Sequence, residues 1–257
     1  MTIYYPDVSH YQGFNLEPKT VAVCAKATEG YSYTDTRYSR WKSQAKSVGA
    51  VFWAYHFIHS ANSDEVQHAY NVVQGVPLMI DAESTTEHIT PSMIASFARA
   101  YRNLGGTVYA VYYPKWYWQS INSPDMTPIK NANLFLVSSN YVTKYSDNGP
   151  GWSPYGGLTP KIWQYTDKLK YSTGTCDFNA YKGTIDQFKR LINTGSEVVP
   201  VPTPKPSKEP KTTDPTTISV WDKPVFPRGD GTFEWAVTKL NRIEDKLDQI
   251  ISKLSGQ

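Results

Sequence analysis

Three observations predict an α/β barrel followed by a Pro-rich linker and a C-terminal coiled-coil helix. Apolar strand-like runs alternate with helical patterns over roughly the first 195 of 257 residues, the mark of strands joined by crossover helices. Polar residues gather where those runs end: Asp7, Glu29, His56, Asp81 with Glu83, and Tyr112 with Tyr113. A barrel brings its strand ends to one rim, and no Gly-rich nucleotide loop follows any strand to favour a doubly wound sheet. The third observation is a change of composition at Glu197, where the periodicity stops.

In chain order, the expected strands cover residues 2–5, 21–25, 50–57, 76–81, 108–113, 133–138 and 161–165. Residues 171–178, with Gly174 midway, are expected to pair back on the last of these as a hairpin. Helices are expected over 35–48, with Gly49 as the stop, and over 62–73, with Asn62 or Ser63 as the N-cap. Thr90-Pro91 opens another helix, Pro standing at the first helical position, and Gly105-Gly106 ends it. The aromatic segment Trp116-Tyr117-Trp118 follows the 108–113 strand, and a last helix over 185–192 closes at Gly195.

The run Val76-Pro77-Leu78-Met79-Ile80-Asp81-Ala82-Glu83 carries the most chemistry. Its apolar part suits a strand buried on both faces. Strand alternation sends Asp81 and Glu83 to one side, with Cα atoms roughly 6–7 Å apart. Paired acids at a buried strand end are what glycoside hydrolysis needs, although a strand end that simply turns polar gives the same letters.

Composition excludes several classes. A formal charge of +3 is too small to mark a nucleic-acid face. No apolar run reaches the roughly 18 residues that would span a membrane. With only Cys24 and Cys176, no disulfide framework is expected, and Cys24 reads as a buried thiol. The 19 Tyr and 8 Trp suit a core and also suit sugars, whose C–H faces stack on rings. No metal and no cofactor are expected.

Residues 197–217 hold six Pro among Thr, Lys and Val and read as an extended linker after a domain of residues 1–196. The third segment, 218–257, begins with an aromatic and Pro-rich patch at 221–227 and an Arg228-Gly229-Asp230 turn. From about residue 232, Phe233, Ala236, Leu240, Ile243, Leu247, Ile250 and Leu254 follow a heptad seam, whose helix either docks back on the barrel or pairs with copies of itself, the homo-oligomer being preferred.

Five motifs, in order, resemble glycoside hydrolase family 25: Asp7-x-Ser9-x-x-Gln12, Lys26-Ala27-Thr28-Glu29-Gly30, Asp81-x-Glu83, Trp163-Gln164-Tyr165 and Cys176-Asp177-Phe178-Asn179. That family comprises muramidases of bacteria, fungi and bacteriophages, many phage members being endolysins. The resemblance implies an irregular, flattened α/β barrel with antiparallel strands late in the chain. It implies a lysozyme that cleaves, with retention, the β-1,4 bond between N-acetylmuramic acid and N-acetylglucosamine in peptidoglycan glycan strands. Carried over by position, Glu83 is the general acid and base. Asp81 is either the nucleophile or the partner of the substrate's own 2-acetamido group, the second being preferred. Asp7 and Asp177 match the other two acidic positions. Tyr55, Tyr112, Trp163 and Gln12 are candidates for substrate contact, while Lys26 and Glu29 are expected to pair with each other. Many relatives carry Ala-Arg-Tyr or a similar run where this chain has Ser138-Ser139-Asn140-Tyr141, and no repeated wall-binding module follows the barrel.

Residues 1–7 lack the basic and apolar regions of a secretory signal. The resulting expectation is a phage endolysin, made in the host cytoplasm and reaching the wall through a holin-type pore. A hexosaminidase cutting the neighbouring bond, and a non-catalytic glycan-binding or virion protein on an inactive barrel, stand as the alternatives.

Overall fold

A computed structural model describes residues 1–197, 225–227 and 233–235. The strands of the first unit are β1 (Thr2–Val8), β2 (Ala22–Glu29), β3 (Tyr33–Thr34), β4 (Val51–Phe57), β5 (Leu78–Asp81), β6 (Val108–Tyr112), β7 (Phe135–Ser139), β8 (Ile162–Tyr171) and β9 (Gly174–Lys182). The helices are α1 (Tyr38–Val48), α2 (Ser63–Val73), α3 (Pro91–Asn103), α4 (Lys115–Ser120), α5 (Thr127–Asn131) and α6 (Ile185–Thr194).

Eight of these strands close a barrel in the order β1, β2, β4, β5, β6, β7, β8, β9, with β3 hanging outside on β2. From β1 through β8 every neighbouring pair is parallel, while β9 runs antiparallel to both β8 and β1. The expected barrel and the expected late antiparallel hairpin are therefore both present. Irregularity comes from register shifts between Lys26 and Thr28, between Leu78 and Met79, and twice within β8.

Alternation along each strand sorts the side chains into two layers. Tyr5, Cys24, Trp53, Met79, Ala110, Val137, Ile162 and Tyr181 fill the barrel interior. Val23, Ala25, Leu78, Ile80, Val111, Leu136 and Trp163 face outward into the layer that surrounds the barrel. Helix α6 does not join the outer layer. Its Phe188, Leu191 and Ile192 belong to the interior cluster, where the Phe188 ring lies 5.1–5.7 Å from the rings of Tyr5, Trp53 and Tyr181. Burying a phenylalanine fully is worth about 1.5–3 kcal/mol, so this aromatic floor is a large part of what holds the barrel shut.

Helix starts follow the sequence signals. Asn62 caps α2, Thr90 caps α3 with Pro91 next, and Thr184 with Gln187 forms a reciprocal capping box on α6. We expect Thr184→Ala to lower stability by about 1 kcal/mol with unchanged catalytic constants, measured by chemical denaturation beside an activity assay.

Several elements differ from the sequence reading. Helix α1 begins at Tyr38 rather than 35, because the Asp35 carboxylate is spent on the backbone N–H groups of His10 and Arg37 and forms a turn. The Trp116 segment is the short helix α4, and β3 and α5 were not expected at all; both are too short to show a period. Both cysteines are free and buried.

The second unit spans Val201–Gln257. In it β10 (Val225–Pro227) pairs antiparallel with β11 (Phe233–Trp235). Phe233, where the heptad seam was expected to begin, thus lies in a strand; the linker and the rest of the seam lie outside the described residues.

Candidate active site

At the end of the barrel opposite the α6 floor, the interior layer turns polar. Continuing the columns of Tyr5, Trp53, Met79, Ala110, Ile162 and Tyr181 upward gives Asp7, Tyr55, Asp81, Tyr112, Gln164, and Asn179 with Asp177. Glu83 lies two residues beyond the end of β5 and faces the same space as Asp81, as strand alternation predicts. Asp7, Tyr55, Met79, Asp81, Glu83, Tyr112, Gln164 and Asp177 line one cavity of about 70 Å³.

The register of the antiparallel pair sets Asp7 directly across from Asp177. Like charges so placed repel. Asn179 donates a hydrogen bond from Nδ2 to Asp7 Oδ2 at 3.1 Å, which offsets part of that cost. Burial, then the Asp177 charge, push Asp7 up to about 8. Burial and Asp177 likewise push Glu83 up to about 7, and burial with the Asp167 charge lifts Asp177 to about 6. Asp81 is raised well above the carboxylate range by burial, then by Glu83 and Asp7. Among the described residues, its buried Oδ1 has no hydrogen-bond partner. Such an oxygen is an acceptor held ready for a donor that the protein does not supply.

These shifts set a sign for stability. A carboxyl whose folded pKa lies above its unfolded value binds more protons in the native state. Stability must then fall as pH rises from about 4, the unfolded carboxylate value, through the folded values of about 6, 7 and 8. We expect the melting temperature to drop across that window. Asp7→Asn keeps an acceptor for Asn179 but loses the charge, and should flatten the slope and raise the melting temperature at pH 8.

A second tier of charge surrounds the cavity. Lys26 pairs with Glu29, as expected from the sequence, and its charge favours the ionised forms of both Asp81 and Glu83. His59 lies between Glu29 at 3.2 Å and Glu87 at 3.0 Å. Burial works against its imidazolium, but the two carboxylates more than offset this and raise its pKa. Glu87 is in turn held by Ser84 and Thr86, so the loop that carries Glu83 is tied to the ends of β2 and β4. His56, although at a strand end, lies outside the cavity. It is fully buried, hydrogen-bonded to Thr28 and Glu65 and stacked on Phe97, a structural role.

The other expected contact residues divide. Tyr55 and Tyr112 line the cavity. Trp163 does not. Its parity on β8 is opposite to Gln164, so it points outward, is fully buried, and donates Nε1–H to Asn140 O at 2.9 Å. Gly151 lies against it so closely that an added Cβ would sit 2.1 Å from Nε1. Gln12 also stays away from the cavity, accepting the Ser9 N–H at 2.8 Å to fold the loop after β1.

Residues missed by the sequence reading take their place. Gln164 Oε1 accepts hydrogen bonds from Tyr112 OH at 3.0 Å and Tyr141 OH at 2.9 Å, bracing one wall. Beyond that wall opens a cavity of about 460 Å³ lined by Glu83, Tyr112, Lys115, Trp116, Gln119, Ser139, Asn140 and Tyr141. Glu83 and Tyr112 belong to both spaces, so the acids open directly into a groove. The aromatic run at 116–118 was the available signal for it.

The chain is 26% identical over 210 residues to an N,O-diacetylmuramidase of Chalaropsis sp., covering 73% of this chain and 94% of that protein. It is 30% identical over 146 residues to an autolytic lysozyme of Clostridium acetobutylicum, covering 49% of this chain and 44% of that one. The fold matches a bacterial lysozyme from Streptomyces coelicolor with a TM-score of 0.62 at 20% identity, over 74% of this chain and 97% of that chain. The family model for glycosyl hydrolases family 25 matches residues 6–173, and the chain belongs to that family.

Proposed function

We propose that this glycoside hydrolase is a muramidase that cleaves the β-1,4 bond between N-acetylmuramic acid and N-acetylglucosamine in peptidoglycan, with retention at the anomeric carbon. The observation that carries the reading is the pairing of Glu83, open to the groove and protonated up to about pH 7, with Asp81, whose buried Oδ1 lacks a donor. The 2-acetamido group of the substrate offers the missing N–H. Accepting it, Asp81 orients the acetamide carbonyl oxygen for attack on the anomeric carbon as Glu83 protonates the leaving oxygen. Glu83, now a carboxylate, then takes a proton from the water that opens the oxazolinium intermediate, and the first configuration returns. Positive charge developing on the sugar relieves the crowding among Asp7, Asp81 and Asp177, so the acids favour the transition state over the ground state.

Digestion of purified peptidoglycan with mass spectrometry of the products tests this. Fragments ending in reducing muramic acid are expected. Reducing glucosamine ends would mean a hexosaminidase, and no cleavage would mean a non-catalytic barrel. The rate should fall on an alkaline limb near pH 7 as Glu83 loses its proton. Two finer proposals rest on sequence alone. The phage setting predicts lysis of a host only when a pore-forming protein is co-expressed. The heptad seam predicts that the full chain is oligomeric by light scattering and that a chain ending at Ser196 is monomeric.

A further inference from the structure

Three tyrosines at the rim are exposed without contributing to the core: Tyr11 at 81%, Tyr31 at 70% and Tyr33 at 37%. A clustered aromatic surface is uncommon on a protein that binds nothing there. Tyr11 follows β1, Tyr31 lies in the turn between β2 and β3, and Tyr33 opens β3. Their setting is built. The Tyr11 ring lies 3.9 Å from that of His10, and His10 Nδ1 is 3.1 Å from both Tyr33 OH and Asp35 Oδ2. Asp35, its side chain fully buried, also takes the His10 and Arg37 backbone N–H groups. The Tyr33 ring lies under Lys26 Nζ at 5.7 Å, and Lys26 is the cation that acts on Asp81 and Glu83. One cation thus reaches the Tyr33 ring and is felt at both acids.

The barrel order decides what this surface faces. Around the ring, β1 and β2 are separated from β6 and β7 by β4 and β5 on one side and β8 and β9 on the other. The tyrosines thus lie diametrically across the rim from Trp116 and Tyr141, which follow β6 and β7 and line the groove. Asp81 and Glu83 come from one intervening arc, Gln164 and Asp177 from the other. A linear polymer that fills the groove and runs straight on past the acids crosses the β1–β2 side.

We propose that Tyr11, Tyr31 and Tyr33 form a second glycan-binding platform, on which amino-sugar rings of the wall polymer stack beyond the cleavage point. This rests on the muramidase reading. Ring faces exposed at a rim suit the C–H faces of β-linked sugars.

The test measures binding of the full chain carrying Glu83→Gln to peptide-free glycan strands, long or of tetrasaccharide length, by calorimetry. Long strands are expected to bind more tightly. Adding Tyr11→Ala and Tyr31→Ala should weaken long-strand binding about tenfold, leave the tetrasaccharide unchanged, and be reversed by the corresponding Phe changes. If the length advantage survives the alanines, or if tetrasaccharide binding weakens equally, the platform is refuted. Cleavage by the parent chain separates the two readings: an inactive parent overturns the muramidase assignment, whereas an active parent with no tyrosine-dependent length effect overturns the platform alone.

Discussion

Glu83→Gln is expected to lower kcat on peptidoglycan by about 10²–10⁴, the range a positioned general acid and base supplies. The fold should survive. Among the described residues no side chain hydrogen-bonds the Glu83 carboxyl, and its surroundings oppose ionisation, so the amide removes a destabilising charge. Circular dichroism should show the parent spectrum and a melting temperature at least as high at pH 8. An aryl glycoside whose leaving group needs no proton should recover the first step, seen as a burst of released aryl group, while turnover stays slow because the second step still lacks its base. Turbidity clearing by the variant at the parental rate would remove Glu83 from the mechanism, and with it the asymmetry between the two acids.

Asp81→Asn should cost a comparable factor, about 10²–10³ in kcat, for a different reason. An amide at this position can present its nitrogen to the acetamide N–H and can no longer carry charge opposite an oxazolinium. The parent chain should also fail on N-deacetylated glycan, since the internal nucleophile is then missing. A fluorinated glycoside should leave no covalent adduct. A sugar ester trapped on Asp81 and found by mass spectrometry would establish direct attack instead and would exclude acetamide assistance.

Much of this site was legible before any coordinates. Strand alternation alone put Asp81 and Glu83 on one side, and the strand-end positions of Asp7 and Tyr112 implied a shared rim. What could not be read was parity in strands lacking a one-sided pattern. In Trp163-Gln164 both neighbours are buried, one against the segment 140–152 outside the barrel and one inside it, so hydrophobicity did not reveal which faced the sugar. The aromatic took attention that belonged to the amide. Gln12 misled similarly, because its side chain satisfies a local backbone group that no period announces. The His59 bridge, joining residues from three loops, depends on closure of the barrel and has no local sequence signature.

The pairing of β1 with β9 has a consequence for how the enzyme is made. Thr2 meets Lys182 and Asp7 meets Asp177, so the first strand synthesised waits for the last. The floor is sealed later still, by α6. Contacts of such sequence separation fold slowly, because loop closure must precede any reward. At 5–20 residues per second, translating the stretch from β1 to the end of α6 takes roughly 10–40 s, during which the acids are not assembled. A hydrolase built this way is born inert and acquires its activity in one late step, after the whole barrel has left the ribosome.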